Sequence, residues 1–340
     1  MNPEHASPEE RLVSIVRRFS QRRIVVIGDA IADQFVHGGI SRVSREAPVF
    51  IIRHEHTQTV PGGAANCALN LASLGAKVSL VSIVGEDEAG KALLEQLQNA
   101  NVDCSGIIIS AAIKTTTKVR ILAGLAHSTR QQVVRIDYES ESPTNGTIKD
   151  RLRQLIEQQA KTSDAMIISD YNYGVASDEI AESIRHHSLA RKIPVLVDSR
   201  FRLMSFRNFT SATPNEAELE QLAGNIDSIQ QLTKAGEEMR KKIGYQALLI
   251  TRGSQGMMLL EEGRPPLNLK AIGGHDPVDV TGAGDTVIAT YTLALASHAP
   301  FADAARLANY AGGLVVMKRG TASVSAQELE DSVRHSRVYE

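Results

Sequence analysis

Short apolar runs alternate with amphipathic stretches along most of this chain. Several of the runs end in Gly, Asp or Thr, which is typical of strands buried on both faces of a sheet. The predicted strands cover residues 23–29, 78–84, 165–169, 195–197, 247–250 and 257–260. The predicted helices cover residues 8–19, 64–74, 89–100, 149–161, 177–191, 216–223, 229–243 and 287–296. This alternation predicts an α/β fold in which a mostly parallel sheet carries helices on both faces.

Two segments depart from this alternation. Residues 37–60 and 113–137 contain β-forming residues that are not followed by helical stretches. We interpret them as a small β-sheet that projects from the main domain as a lid. Because an open sheet leaves edge strands to be covered, this lid is also the predicted surface of a homodimer. Residues 1–340 are otherwise predicted to form a single domain.

Composition excludes several classes of function. The 340 residues are 42% apolar, which is ample for a large core, and the net charge is -2 at a pI of about 6.6. Such a balance argues against a nucleic-acid partner or a membrane-surface protein. The polar N-terminus lacks the apolar core of a signal peptide, so we expect a cytoplasmic protein. Cys67 and Cys104 have no spacing that suggests a disulfide or a zinc site.

The strongest chemical signal is the segment Asp-Val-Thr-Gly-Ala-Gly-Asp-Thr at residues 279–286, directly before an apolar helical stretch. Gly282 and Gly284 bare the backbone, so successive amides, including that of Ala283, can point at one anion at the positive end of the helix. Asp285 can then accept a proton from an attacking hydroxyl while the amides stabilise a phosphoryl group. The alternative is an ordinary helix-capping turn. The Gly pair beside an Asp favours phosphoryl transfer.

A second glycine-rich turn, Pro-Gly-Gly-Ala-Ala-Asn, also leads into a predicted helix. Gly62 and Gly63 allow a ligand to approach the backbone, and the amide of Asn66 can both donate to and accept from a sugar hydroxyl. Asp29 ends a predicted buried strand, and either Asp29 or Asp33 could bridge vicinal hydroxyls. A tight turn with Asn near a helix start, and a helix N-cap at Asp29, are the structural alternatives.

Two further patterns do not indicate a site. Residues 85–92 have the spacing of a phosphate loop after a strand, but Ala92 stands where Ser or Thr would hold magnesium, and the loop is acidic. No dinucleotide fingerprint follows a strand either, so a dehydrogenase is poorly supported. His54 and His56 share one face of a predicted lid strand. We interpret that face as solvated rather than metal-binding.

Together the two glycine motifs resemble the signatures of the PfkB/ribokinase family of carbohydrate kinases, and the resemblance runs from about residue 24 to residue 325. It implies a ribokinase-like, Rossmann-like three-layer αβα sandwich with a small β-sheet lid. It also implies an ATP-dependent kinase that uses Mg²⁺, and it leaves a requirement for a monovalent cation open.

The resemblance assigns roles by position. Asp285 matches the catalytic base, and Gly282, Ala283 and Gly284 match the anion hole. Glu216 is implied to hold Mg²⁺ through water. The residues predicted to bind the nucleotide are Asn215, Glu216, Arg200, Thr251, Arg252, Gly253 and Asn309. The residues predicted to bind the substrate are Asp29, Asp33, Gly62, Gly63, Asn66, Arg120 and Arg135.

A narrower resemblance is to the D-glycero-β-D-manno-heptose-7-phosphate 1-kinases, which supply nucleotide-heptose for lipopolysaccharide cores. It is carried by residues 28–29, 41–48, 61–66, 117–120, 135–137, 169–171 and 279–286. It implies that the anomeric hydroxyl of the heptose phosphate is phosphorylated, by a kinase domain without the nucleotidyltransferase domain of bifunctional versions.

The chain departs from that narrower pattern at three places. Residues 170–174 read Asp-Tyr-Asn-Tyr-Gly and lack the usual lysine, Arg200 stands in place of a lysine, and Arg45 stands in place of a proline. Arginine can still hold a phosphate, with a different geometry. Another sugar or nucleoside kinase of the family, and a non-catalytic sugar-binding relative, therefore remain open.

Cationic residues recur in the two predicted lid segments. They are Arg42, Arg45, Arg53, Arg120 and Arg135. A cationic rim over the sugar site would suit a substrate that already carries phosphate. Ordinary surface charge on an exposed sheet is the alternative.

Overall fold

The computed structural model describes residues 7–124, 130–139, 146–273 and 277–335. Its main sheet has nine strands in the order β13-β12-β11-β10-β9-β8-β1-β4-β5. All neighbours are parallel except β12, which runs antiparallel to both β11 and β13. The strands are β1 Arg23–Gly28, β4 Lys77–Gly85, β5 Ile107–Ser110, β8 Ala165–Asp170, β9 Val195–Ser199, β10 Ser211–Ala212, β11 Ala247–Thr251, β12 Met257–Glu261 and β13 Leu267–Leu269.

Helices connect most of these strands, as long crossovers between parallel strands require. The helices of the described residues are α1 Pro8–Val16, α2 Ala64–Ser73, α3 Glu88–Asn99, α4 Gly146–Ala160, α5 Asp178–Arg191, α6 Glu216–Ala223, α7 Ile229–Ile243, α8 Ala283–Ala296, α9 Phe301–Val315 and α10 Ala326–His335. Among the described residues, no helix combines the length and the apolar character needed to cross a membrane.

The core has two apolar clusters, one on each face of the main sheet. Alternation along β1 sends Ile24 and Val26 into one cluster and Val25 and Ile27 into the other. Helices α1, α2, α3, α8, α9 and α10 pack on the first face, and α4, α5, α6 and α7 on the second. The helix α8 is buried on nearly every side, which explains its almost continuous apolar sequence. The predicted fold class, a mostly parallel sheet between two helical layers, is confirmed.

The small sheet has four strands in the order β3-β2-β6-β7. They are β2 Ala30–Val43, β3 Phe50–Gly63, β6 Thr117–Gly124 and β7 Gln131–Tyr138. Strand β2 pairs antiparallel with β3 and parallel with β6, and β7 pairs antiparallel with β6. The predicted lid bounds of 37–60 and 113–137 are therefore too short at the first segment. The hairpin begins one residue after β1 and ends at the helix α2, so its base is part of the site.

Several elements were not predicted from the sequence. They are the short strands β5, β10 and β13 and the helices α9 and α10. Only Asp29 separates β1 from β2, and the start of the second strand directly after the predicted one was not recognised. The single-domain organisation stays a prediction.

Candidate active site

The segment with the strongest chemical signal forms the start of helix α8. Gly282 is the residue before the helix and has a φ of 77°, a left-handed conformation that favours glycine. A Cβ on Gly282 would lie 2.6 Å from Nδ2 of Asn66, so no larger residue fits there. A Cβ on Gly284 would meet no atom within 4 Å. The first turn of α8 therefore faces open space at Gly284.

The amides of this turn are not equivalent. The N–H of Ala283 donates to the carbonyl of Val280 at 3.2 Å. Within the described part of the chain, no acceptor takes the N–H of Gly282 or Gly284. The predicted anion hole is thus corrected: the amide of Ala283 is already used, which leaves those of Gly282 and Gly284.

The carboxylate of Asp285 is buried at the same helix start, with 5% of the residue exposed. Asn66 donates from Nδ2 to Oδ2 of Asp285 at 2.6 Å, and the hydroxyl of Tyr171 donates to Oδ1 at 3.2 Å. Asn70 donates from Nδ2 to Oδ1 of Asn66 at 3.2 Å and accepts from the Thr286 hydroxyl at 2.7 Å. Helices α2 and α8 thus share a buried polar network that ends on Asp285.

Burial, with a smaller contribution from the nearby Asp33, raises the pKa of Asp285 to about 7. The hydrogen bonds from Asn66 and Tyr171 act in the opposite direction because they favour the ionised carboxylate. A carboxyl group with a pKa near neutrality, at a cleft, is suited to take up and release protons.

A cavity of about 180 Å³ lies over Asp285. It brings together five of the predicted substrate residues: Asp33, Gly62, Gly63, Asn66 and Arg120. It is also lined by Ile31, Lys118, Tyr171, Arg200, Thr281, Gly282, Gly284, Asp285 and Thr321. The cavity is mostly polar and can hold a small hydroxylated molecule beside the carboxylate of Asp285.

Three of these predicted residues, Asn66, Asp33 and Arg120, already contact other protein groups. Each end of the Asn66 amide has one protein partner, which leaves a second N–H on Nδ2 and a second lone pair on Oδ1 for the predicted contact with a sugar hydroxyl. Asp33 forms an ion pair with Arg120 across β2 and β6. A Cβ on Gly62 would lie 2.4 Å from Oδ2 of Asp33, so glycine here makes room for that carboxylate rather than for a ligand.

A second cavity, of about 210 Å³, lies on the other side of the helix start. It contains Thr251, Gly253 and Asn309 from the predicted nucleotide set, and Ala283 from the predicted anion hole. Its apolar lining includes Met257, Ile272, Val280, Val287 and Val316. Gly284 lines both cavities, so they meet at the turn that presents the amides. An apolar slot next to an anion-binding turn has the character expected of a nucleotide site.

Asp29 does not line the cavity over Asp285, contrary to its predicted role. Its carboxylate accepts the backbone N–H groups of Tyr171, Tyr173 and Val175 at 2.8 to 3.1 Å. Burial nonetheless raises the pKa of Asp29 to about 6. Asp29 therefore fixes the loop after β8 instead of binding a ligand, and the N-cap alternative is also wrong.

The predicted pair of Asn215 and Glu216 also needs correction. The side chain of Asn215 caps helix α6 by accepting the N–H of Glu218 at 2.8 Å, and it lies outside both cavities. Glu216 forms an ion pair of 2.6 Å with Arg252, which is likewise outside both cavities. Glu218 instead lies near Arg200 and Asp198, and burial raises its pKa.

The few metal-ligating side chains near Glu218 limit how a divalent cation could bind. Within the described ranges, no group of three or more His, Cys, Asp or Glu residues could hold a metal ion. The carboxylates of Glu218 and Asp198 are oxygen donors of the kind Mg²⁺ takes. Two carboxylates would suit a cation whose other coordination sites are filled by water molecules and phosphate oxygens.

A larger groove of about 1510 Å³ continues from the cavity over Asp285 and shares Arg120, Thr281 and Thr321 with it. One face of the small sheet forms one wall, and residues 278–281 and 319–321 form the other. Its cationic residues are Arg53, Arg120, Arg130 and Arg319. Arg42, Arg45 and Arg135 lie outside the groove, and Arg135 pairs with Asp137 at 2.9 Å. Only Arg53 and Arg120 of the predicted rim face it.

Sequence reasoning did not assign Lys118, Tyr171 or Asp198 to the site. Lys118 lies over the rings of Tyr171 and Tyr173, 5.7 Å and 5.8 Å from their centroids. The useful signal was position: Lys118 is two residues before Arg120 on one strand, and Tyr171 directly follows β8 at the carboxyl edge of a parallel sheet, where ligands bind.

Comparison with known proteins agrees with this arrangement. A sequence profile described as pfkB family carbohydrate kinase matches residues 21–328. Bifunctional protein HldE of Aeromonas hydrophila subsp. hydrophila is 40% identical over 317 residues, which is 93% of this chain and 64% of that protein. The chain thus spans somewhat less than two thirds of the length of the curated relatives it matches.

Solved structures share the fold. Arabidopsis thaliana ribokinase complexed with ribose and ATP superposes with a TM-score of 0.72 at 21% identity, covering 93% of this chain and 99% of the ribokinase. Phosphofructokinase-2 from Escherichia coli in complex with potassium has a TM-score of 0.73 at 19% identity, covering 92% and 98%. At these identities the likeness establishes a ribokinase-like fold.

Proposed function

The chain belongs to the pfkB family of carbohydrate kinases, and from this premise we propose that it transfers the γ-phosphoryl group of ATP to the anomeric hydroxyl of D-glycero-β-D-manno-heptose 7-phosphate. The product would feed nucleotide-heptose synthesis for the lipopolysaccharide core. The observation that carries the proposal is the buried carboxylate of Asp285 below a polar cavity, at the point where that cavity meets an apolar one at Gly284.

In the proposed mechanism, the sugar occupies the cavity over Asp285. The ionised carboxylate takes the proton of the attacking sugar hydroxyl. The hydroxyl oxygen forms a bond to the γ-phosphorus while the bond from that phosphorus to the leaving ADP oxygen breaks. The amides of Gly282 and Gly284, together with Arg200, stabilise the negative charge on the phosphoryl oxygens. The positive end of α8 adds to this stabilisation.

The nucleotide is proposed to occupy the apolar cavity, with its phosphates directed towards Gly284. Thr251 and Gly253 line this route, and Asn309 lies at the side of the base. Mg²⁺, when bound, would neutralise charge on the β- and γ-phosphates. Glu218 rather than Glu216 is the carboxylate proposed to hold it through water, because Glu216 is paired with Arg252.

The groove beside the sugar cavity supports a substrate that already carries phosphate. Arg53 projects from the small sheet and Arg319 from the opposite wall, while Arg130 is paired with Glu55. A guanidinium group binds phosphate through two parallel hydrogen bonds. A sugar with its reacting hydroxyl at Asp285 and its phosphate in the groove would use both regions.

A homodimer through the small sheet is proposed as well. The outer edge strand β7 is exposed at all eight of its residues. Val134, Ile136 and Tyr138 are 48%, 41% and 50% exposed and alternate with the charged Arg135 and Asp137. An apolar edge strand of this kind is suited to pack against a second copy.

A substrate screen tests the proposed function. ADP release would be measured with heptose 7-phosphate, fructose 6-phosphate, ribose, fructose and adenosine, and the phosphorylated position of any product located by ³¹P NMR. We expect heptose 7-phosphate to have the highest kcat/KM and a 1-phosphate to form. Faster turnover of another acceptor would refute the specificity but keep the kinase. ATP hydrolysis without any phosphorylated sugar would refute the kinase.

A further inference from the structure

The loop that follows β8 contributes one residue whose role the proposed mechanism leaves unassigned. We propose that Tyr171 is a positioning residue, whose hydroxyl fixes the carboxylate of Asp285 in the orientation that accepts the substrate proton. This inference rests on the proposed function, because it assumes that Asp285 acts as a base.

Among residues 7–124, 130–139, 146–273 and 277–335, each oxygen of Asp285 has one protein donor. Asn66 contacts Oδ2, and its orientation is set by Asn70, whose Nδ2 donates to Oδ1 of Asn66. The Asn66 amide therefore has only its N–H₂ group to offer to Asp285. Tyr171 is the donor to Oδ1, at 3.2 Å. Without that hydroxyl, the carboxylate would be held at one oxygen and free to rotate towards the cavity.

Tyr171 is itself held by its surroundings. Asp29 accepts the backbone N–H of Tyr171 at 2.8 Å and two further N–H groups of the same loop. The ammonium group of Lys118 lies over the Tyr171 ring, which adds a cation–π attraction. The hydroxyl thus reaches Asp285 from a pre-ordered ring, so little conformational entropy is lost when the hydrogen bond forms.

The charged groups around Asp285 make such a donor necessary. Asp33 from β2 and Asp198 from β9 are both near enough to oppose ionisation of a neighbouring carboxyl group. Cys67 from α2 is buried and un-ionised, since burial raises its pKa well above the ordinary value. The cations at the cavity are Lys118 and Arg120 from β6 and Arg200 after β9. Of these, Arg120 is already paired with Asp33.

The direction of the effect follows from the protonation states. Burial raises the pKa of the Tyr171 hydroxyl well above its ordinary value, so it remains a donor throughout the working pH range. As a donor to the ionised carboxylate, Tyr171 lowers the pKa of Asp285, which is about 7 with this hydrogen bond present. Removing the hydroxyl therefore raises that pKa further. The enzyme would then need a higher pH to become active.

The experiment is a comparison of Tyr171→Phe with Tyr173→Phe in the full chain. Both tyrosines belong to the same loop and both rings lie near Lys118, but the Tyr173 hydroxyl donates to Glu139 on the surface instead of Asp285. The measurement is kcat/KM from pH 5.5 to 9.5 with the best acceptor of the screen. One hydrogen bond contributes about 0.5–1.5 kcal/mol, so Tyr171→Phe should move the acid limb upward by about 0.5–1 pH unit. Tyr173→Phe should leave it in place.

Each outcome decides the inference. An unshifted acid limb in Tyr171→Phe, or equal shifts in both variants, would overturn it. A changed KM for the sugar without a shift of the limb would show that Tyr171 only contacts substrate, and would also overturn it. If Tyr171→Phe fails to fold, 3-fluorotyrosine at position 171 replaces it. Its more acidic hydroxyl donates more strongly, so the acid limb should move downward, and no movement would overturn the inference.

The variant Asp285→Asn in the same assay separates this inference from the proposed function. If Asp285→Asn retains turnover, the base is elsewhere and the proposed mechanism fails with it. If Asp285→Asn is inactive and Tyr171→Phe keeps the wild-type pH profile, only the positioning role is wrong.

Discussion

Two neighbouring glycines at the start of α8 meet different demands. Gly282 is required by its left-handed φ and by the closeness of Asn66, so its reason is local and steric. Gly284 has an ordinary helical position and open space beside it. Nothing in the packing requires glycine at that position. The remaining reason is the ligand, because Gly284 lies where the two cavities meet.

Gly284→Ala should therefore lower activity without lowering stability. The added methyl group would project towards the proposed path of the phosphoryl group, and we expect kcat/KM to fall by about 10²-fold, as a misplacement of the reacting groups by about 1 Å does. Alanine in a helix is favoured over glycine by about 0.5–1 kcal/mol, so the melting temperature should stay level or rise. Steady-state kinetics and calorimetry measure the two effects.

The matched control is Gly146→Ala at the start of α4, where a Cβ also meets no atom within 4 Å. It should keep full activity. If Gly284→Ala were equally active, the path between the cavities would not pass over Gly284.

At the residue scale, the sequence located the glycine turn at the start of α8 better than its surroundings. Asp285 and Gly284 were predicted from a bare turn before a helix, and the structure places both at a cavity. Their roles in catalysis stay predictions. Asp29 could not be assigned correctly, because the three amides that occupy it come from residues 171–175, far away in sequence. Tyr171 was missed for the same reason: its contact with Asp285 spans 114 residues.

At the element scale, the residues that cap the short helix α6 include one that is proposed to hold Mg²⁺. Asn215 caps this helix by accepting the N–H of Glu218, and the Glu218 carboxylate in turn accepts the backbone N–H of Asn215. The same capping box thus starts the helix and places the carboxylate near Arg200. A pattern of Asn and Glu three residues apart predicts a capping box from the sequence. Which acidic residue of the segment faces the site could only be read from the contacts of Glu216 and Glu218.

Asn215→Ala should have two consequences. Loss of the cap lowers the free energy of unfolding by about 1 kcal/mol. Fraying of the uncapped first turn also loosens the position of Glu218, which raises the Mg²⁺ concentration needed for half-maximal velocity by several-fold. The control Ser177→Ala removes the N-cap of α5, which is outside both cavities, and should cost similar stability at an unchanged Mg²⁺ requirement. Identical Mg²⁺ titrations of the two variants would contradict the proposed role of Glu218.

Strands and helices were predicted from the sequence most accurately where the two alternate over long stretches. The parallel strands and most helices follow from the hydrophobic period. The helix α9, whose sequence is rich in Ala and Gly, was not predicted, although its buried and exposed positions contrast as clearly as those of α4. The boundary between β1 and β2 was missed because both strands are buried there, and periodicity does not show which sheet a strand joins.

At the scale of the whole molecule, the small sheet has two faces with different chemistry. Pairing across β6 and β7 places Arg120 opposite Arg135, and Ile121 opposite Val134. Arg120 faces the groove. Because side chains alternate along a strand, Val134 and Ile136 belong to the opposite face. One face is thus charged and lines the proposed substrate groove, and the other is available for a second copy of the chain.

Ile136→Lys should shift the proposed dimer towards monomer, because it places a charge in the apolar interface. Light scattering after gel filtration, at several concentrations, measures the mass. Leu189→Lys is the control: Leu189 is 67% exposed on α5, in the helical layer rather than on the small sheet, and its replacement should keep the wild-type mass. A wild-type chain that is monomeric at high concentration, or an Ile136→Lys variant of unchanged mass, would contradict a dimer through β7.

The central claim is that Asp285 removes the proton of the acceptor hydroxyl, and Asp285→Asn tests it most directly. Asparagine keeps the shape of the side chain and can still bond to Asn66 and Tyr171, but it cannot accept the proton. The measurement is kcat with the best acceptor, beside the Kd of that acceptor by calorimetry. We expect kcat to fall by about 10²–10⁴-fold, the usual contribution of a general base, with Kd changed little. A variant that retains near-normal kcat would contradict the account.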